Sequence, residues 1–136
     1  NLQYNATEER NAVFDDANYI KHGIEGYRIL KKEGLPNEIC RIAERHTGVG
    51  LTKQTIKKQK LPLPEKDYIA KTIEERLIMY ADKFHSKPHK FNSFETYSKK
   101  ANKFGPENVT KFIAFSKEFG KPELSSLSKK FNQTIS

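Results

Sequence analysis

Apolar residues recur at helical spacing along most of the chain, and no stretch alternates convincingly at period two, so strands are not needed. In "DDANYIKHGIEGYRILKKEG", Ile20, Ile24, Tyr27 and Leu30 share one stripe. Asp16 is placed to cap the start, and Gly34 before Leu35-Pro36 closes the end. "PNEICRIAERH" follows, with Pro36 near the first turn and Ile39, Ile42 and Ala43 on one face. "LTKQTIKKQK" is a short helix capped by Thr52, and Pro62 and Pro64 make Leu61 to Asp67 an ordered extended loop. The strongest helix is "TIEERLIMYADKFHS", with a capping box of Thr72 and Glu75 and a predicted buried stripe of Ile73, Leu77, Tyr80, Ala81 and Phe84. Beyond Pro88, "FNSFETYSKKANKF", "PENVTKFIAFSKEFG" and "PELSSLSKKF" read as three more helices. The fold class is all-α, with short turns and one proline-bearing loop.

Composition sharpens this picture. The 136 residues make a single domain over residues 1–136. Only 35% of residues are hydrophobic, but nine Phe and six Tyr supply core material, which predicts a folded chain. The single cysteine, Cys40, excludes an internal disulfide and points to a reducing, cytoplasmic setting. Its neighbours Ile39 and Ile42 make it a small core residue. No apolar run is long enough for a membrane span. The net charge of +8 suits an anionic ligand, nucleic acid or a small phosphate compound, against the plain reading of solubilising charge.

The candidate chemistry lies in a few residues. "ERHTGVG" stops a helix on His46 and runs into Gly48 and Gly50. His46 is either a cap that suits the helix dipole or a ligand held with its ring beyond the helix end. His22 stands beside Gly23, which leaves room for something bulky near its ring, though a lone hydrogen-bonded histidine is the plainer reading. Asp82 sits in the apolar run "LIMYADKF". A carboxylate there is either buried against a cation or at the polar edge, bridging to Lys or Arg. His85 and His89 flank "SKP" and are loop residues. Lys53, Lys57, Lys58 and Lys60 crowd one segment; Lys53, Lys57 and Lys60 share a face but have no interleaved aromatic, so a solvated face is favoured over a stacking platform.

Taken together, "HGIEGYRILKKEGLP", "ERHTGVGLTKQTI", "LPLPEKDY" and "EERLIMYADKFHS" resemble, in this order, the HD-domain superfamily of metal-dependent phosphohydrolases, and among them small bacterial and archaeal HD proteins. The resemblance covers residues 19–97, with 98–136 as a C-terminal helical extension. It implies an HD-domain-like helical bundle and hydrolysis of a phosphate ester, a nucleotide among the candidates. It also implies a divalent metal ion (Mn, Fe, Mg, Ni or Zn) held by Asp82, with His22 and His46 on a second metal or on phosphate. Lys53 and Lys83 are the weaker candidates for phosphate contacts, with the surface-lysine reading favoured. The resemblance departs from the family at the His-Asp doublet, because residues 1–21 contain no histidine. That implies a C-terminal fragment or a degenerate form lacking its first helices, an enzyme only where the upstream ligands exist. A second copy or a partner chain would then cover the apolar surface left open. The partner expected is a small phosphorylated substrate, with nucleic acid less favoured. The alternative is a non-catalytic basic helical module that binds nucleic acid or a protein.

Overall fold

The structure, a computed structural model, describes residues 19–86 and 89–136. Seven helices make up most of them: α1 (His22–Lys32), α2 (Asn37–Arg45), α3 (Lys53–Gln59), α4 (Ile73–Asp82), α5 (Phe94–Asn102), α6 (Pro106–Phe119) and α7 (Leu124–Phe131). The fold is all-α. No helix among the described residues is long and apolar enough to cross a membrane.

Local chemistry sets most helix ends. Thr52 and Ser93 accept from the backbone N–H three residues on, and Thr72 and Glu75 form the reciprocal capping box. Glu123 holds two N–H groups at the start of α7. Gly34, with φ of 81°, takes the left-handed turn that ends α1. The expected Asp16 cap lies outside the described residues.

Packing runs through α4. Helix α1 lies on α2, α2 on α4, α4 on α6, and α6 on α5. The first contact depends on Gly23. A Cβ there would stand 2.9 Å from the Ala43 carbonyl oxygen, and 3.1 Å from both the Glu44 carbonyl oxygen and the Thr47 side-chain Oγ1, so only glycine lets the backbones approach this closely. The second contact is the Arg45–Glu75 pair at 2.6 Å. The third is an aromatic core of Tyr80, Phe84 and Phe112 with Val49, flanked by Phe94, Tyr97, Phe115 and Phe119.

Three expectations are corrected. Short strands exist: β1 (His85–Ser86), β2 (Lys90–Phe91) and β3 (Thr134–Ile135) form a small sheet in that order. β1 pairs antiparallel to β2, and β3 parallel to it. Two-residue strands carry no readable alternation. On α4 and the turn after it, Tyr80 and Phe84 are buried but Ile73, Leu77 and Ala81 are exposed; Glu75, Met79 and Lys83 are buried instead. The inward face could accept charged residues because Glu75 meets Arg45 on α2, and Lys83 meets Asp82 and the His46 carbonyl just past α2. On α2, Cys40 is fully buried and Ile39 is exposed.

Candidate functional site

The site forms where the start of α1, the end of α2 and the end of α4 meet. Gly23 brings α1 against the last turn of α2, and this sets His22 opposite His46. Their Nε2 atoms are 2.9 Å apart. Each Nδ1 lies 2.6 Å from a backbone carbonyl, of Tyr19 for His22 and of Ala43 for His46. A carbonyl only accepts, so both Nδ1 atoms carry hydrogen. Two neutral rings would then present bare lone pairs to each other at Nε2. Closing that contact with a proton would make one ring an imidazolium, a charge that the burial of His22 disfavours. Burial pushes His22 below its ordinary value, the Tyr19 carbonyl works against that, and His46 and Lys83 add to the lowering. The Tyr19 ring stacks on His22 at 4.9 Å.

Asp82 settles between its two readings by sitting at the edge. Its side chain is 48% exposed, and Oδ2 accepts from Lys83 Nζ at 2.9 Å. The unexpected residue is Lys83. The surface-lysine reading is wrong here: its side chain is only 6% exposed. Its ammonium also donates to the His46 carbonyl at 2.8 Å. Burial pushes Lys83 below its ordinary value, against the pull of Asp82. For Asp82, burial pushes upward, but the charge and hydrogen bond of Lys83, then the two histidines, hold the carboxyl below the usual range. Lys83 thus ties the end of α4 to the end of α2 beneath the histidine pair.

This geometry is poor for a metal ion. Two imidazoles on one zinc, at about 2.0–2.1 Å each, stand roughly 3.3 Å apart, near the 2.9 Å of this pair, so what the site lacks is further ligands. The Lys83 ammonium already engages one of the two Asp82 carboxylate oxygens, Oδ2, at 2.9 Å. Among the described residues no group of three His, Cys, Asp or Glu side chains is arranged to hold a metal ion.

The remaining candidates lie elsewhere. Lys53 is exposed on a shallow pocket of about 430 Å³ beside Asp67, whose carboxylate accepts from the Lys53 backbone N–H at 2.8 Å. Lys57 faces Glu65 at 3.7 Å, and Lys58 and Lys60 are solvated. His85 lies in β1, not in a loop, and His89 in the turn before β2; both are exposed. Sequence reading missed the Arg45–Glu75 pair and the burial of Lys83. The only signal for either was a charged residue four positions from Met79 on each side.

The HD domain family matches residues 4–87. The chain belongs to the HD domain family. The match takes in α1 to α4, and α5 to α7 lie beyond it. The chain is 44% identical over 86 residues to a tRNA (cytidine(56)-2'-O)-methyltransferase of Picrophilus torridus, covering 63% of this chain and 25% of that protein. It is 43% identical over 63 residues to an uncharacterized protein of Methanocaldococcus jannaschii, 46% of this chain and 36% of that one. A tRNA (cytidine(56)-2'-O)-methyltransferase of Thermoplasma volcanium is 30% identical over 99 residues, 71% of this chain and 29% of that protein. The chain thus spans about a quarter to a third of the relatives it matches. No solved structure matches it at a comparable level.

These relatives correct the functional expectations. Two carry the name of a methyltransferase acting on tRNA, and none that of a phosphohydrolase. The hydrolase reading, a metal-binding, metal-dependent phosphohydrolase acting on a phosphate ester, is overturned by them. So is the divalent metal cofactor (Mn, Fe, Mg, Ni or Zn), which the Lys83–Asp82 pairing also disfavours. The ranking of a small phosphorylated substrate above nucleic acid is not supported by these names. The HD resemblance identified the family correctly, and the chemistry borrowed from it did not follow.

Proposed function

We propose that this chain is the HD part of a tRNA-modifying system: it engages tRNA on behalf of a ribose methyltransferase. The observation that carries this reading is the 44% identity over 86 residues to a relative named for that activity. The net charge of +8 supports it, because a polyanionic partner gains from every lysine it neutralises. We place the methyl transfer itself outside residues 19–136. The described residues carry no glycine-rich nucleotide fingerprint after a strand, and the named relatives are much longer than the region matched. In this reading the His22–His46–Lys83–Asp82 cluster is a structural lock that fixes α1, α2 and α4, and residues 19–136 act as one unit. The partner implied is tRNA and the setting cytoplasmic, in keeping with a single buried cysteine.

The test is direct binding. The purified chain should bind an unmodified tRNA transcript saturably at about 150 mM salt, where long-range attraction between exposed charges is largely screened. Unlabelled tRNA should compete and mononucleotides should not. Absence of tRNA binding under these conditions sinks the reading.

A further inference from the structure

The segment from Lys90 to Ser136 carries nine lysines against four glutamates. Two of those glutamates are engaged: Glu118 accepts a forked pair from Arg76, and Glu123 caps the start of α7. At the other end of α7 the charge is unopposed. Lys129, Lys130, Phe131 and Asn132 close the helix, and all four are exposed. Asn132, with φ of 50°, turns the chain into β3, and the Gln133 N–H returns to the Ser128 carbonyl at 3.0 Å. β3 then meets β2: Thr134 pairs with Lys90 and its N–H reaches the His89 carbonyl at 3.4 Å. So the end of α7 and the start of β2 share one corner. Neither Leu124 to Ser136 nor His85 to Ser93 contains a carboxylate side chain.

Phe131 is the feature that helix stability does not explain. Lysines in a last turn suit the helix dipole. A phenylalanine left 55% exposed beside them gains nothing from it. Its ring lies 5.6 Å from the Lys130 ammonium. An exposed apolar ring with one ammonium near it and further lysines on the same corner suits an unstacked base with its phosphates. The more exposed Phe104, at 71%, also follows a lysine, Lys103, but among the described contacts no ammonium lies over its ring, and Glu107 stands at the adjoining Gly105.

We propose that the corner formed by the end of α7 and the start of β2 is a contact surface for unstacked RNA. Phe131 stacks on a base, and Lys90, Lys129 and Lys130 hold the flanking phosphates. This rests on the tRNA reading above and adds to it the face and the contact chemistry. The experiment uses the full chain and an unmodified tRNA transcript, titrated from about 50 to 200 mM salt. Phe131→Ala should weaken binding about tenfold with the salt slope unchanged, and Phe131→Tyr should keep it, since base–aromatic stacking is lost only in the first. A Lys90→Gln, Lys129→Gln, Lys130→Gln variant should bind with a slope shallower by about 2, the share of three single-strand phosphates. Inorganic polyphosphate, which has no bases, should feel the lysine changes and not Phe131→Ala. Circular dichroism should show all variants folded. Unchanged tRNA binding in both variants overturns the surface while the tRNA reading stands; failure of the unaltered chain to bind tRNA removes both. Polyphosphate weakened equally by Phe131→Ala would make the ring a shaper of the corner and overturn stacking. Loss on Phe104→Ala, with Phe131→Ala silent, would move the site elsewhere.

Discussion

Glu75 shows how one residue can reverse a sequence reading. Its role in the capping box was legible, since a threonine followed by glutamate three positions on is a local signal. Its second role was not, because Arg45 lies thirty positions earlier in the chain. The carboxylate is 3% exposed. Burial pushes it up, but the Arg45 hydrogen bond and the backbone and hydroxyl of Thr72 outweigh this and hold it below its ordinary 4.5. The sign for stability follows. A carboxyl depressed in the folded state contributes fully above about 4.5, and that contribution is lost as pH falls through the lower folded value. Glu75→Gln should therefore flatten part of the acid limb of a stability-versus-pH curve measured by urea unfolding. Arg45→Ala leaves the charge buried without its partner and should cost about 3 kcal/mol near neutral pH. An acid limb with the same slope in Glu75→Gln would show that other carboxylates set it.

At the scale of elements, periodicity located the helices well and oriented one of them badly. Helices α1 to α7 all fall on segments with helical spacing, because caps and glycine stops are written locally. The face of α4 was misassigned because periodicity counts apolar residues and cannot see that Glu75 meets Arg45 and Lys83 meets the His46 carbonyl at the end of α2. Periodicity alone could not join His22 to His46; the family resemblance set them on one site, and how near they come depends on how close two helices can approach. That distance is set by Gly23. Gly23→Ala should destabilise the chain by about 1–3 kcal/mol, the usual cost of overpacking, because the Cβ would press on backbone carbonyls that cannot rotate away. Gly26→Ala, whose Cβ would meet only the Ala43 methyl at 3.4 Å, should cost less. Imidazole NMR signals should show the His22–His46 contact disturbed by the first substitution and kept by the second. Equal thermal shifts for the two would mean that the α1–α2 approach is not limited at Gly23.

At the scale of the molecule, α4 joins two groups of helices of different standing. One face of it holds α2, inside the family match, and another holds α6, beyond it. Three contacts cross the second boundary: Arg76 forks onto Glu118, the Tyr80 hydroxyl donates to the Gly120 carbonyl at 2.8 Å, and Phe112 packs between Tyr80, Phe84, Phe94 and Tyr97. The exposed salt bridge contributes little, as half-solvated pairs do. The rings carry the join, and Phe112 is fully buried among them. Phe112→Ala should cost about 3–5 kcal/mol, the range for removing a buried phenylalanine. Its effect on cooperativity tests the expectation that the helices form one domain. If α1–α4 and α5–α7 unfold together, amides in α2 and in α6 should lose hydrogen-exchange protection by the same amount in this variant, and one transition should remain by circular dichroism and tyrosine fluorescence alike. Protection lost in α5 and α6 while α2 keeps its own would divide the chain at α4. The HD helices would then be the stable body and the lysine-rich end a separately melting arm, and RNA contacts on that arm would be gained without help from the His22–His46 lock.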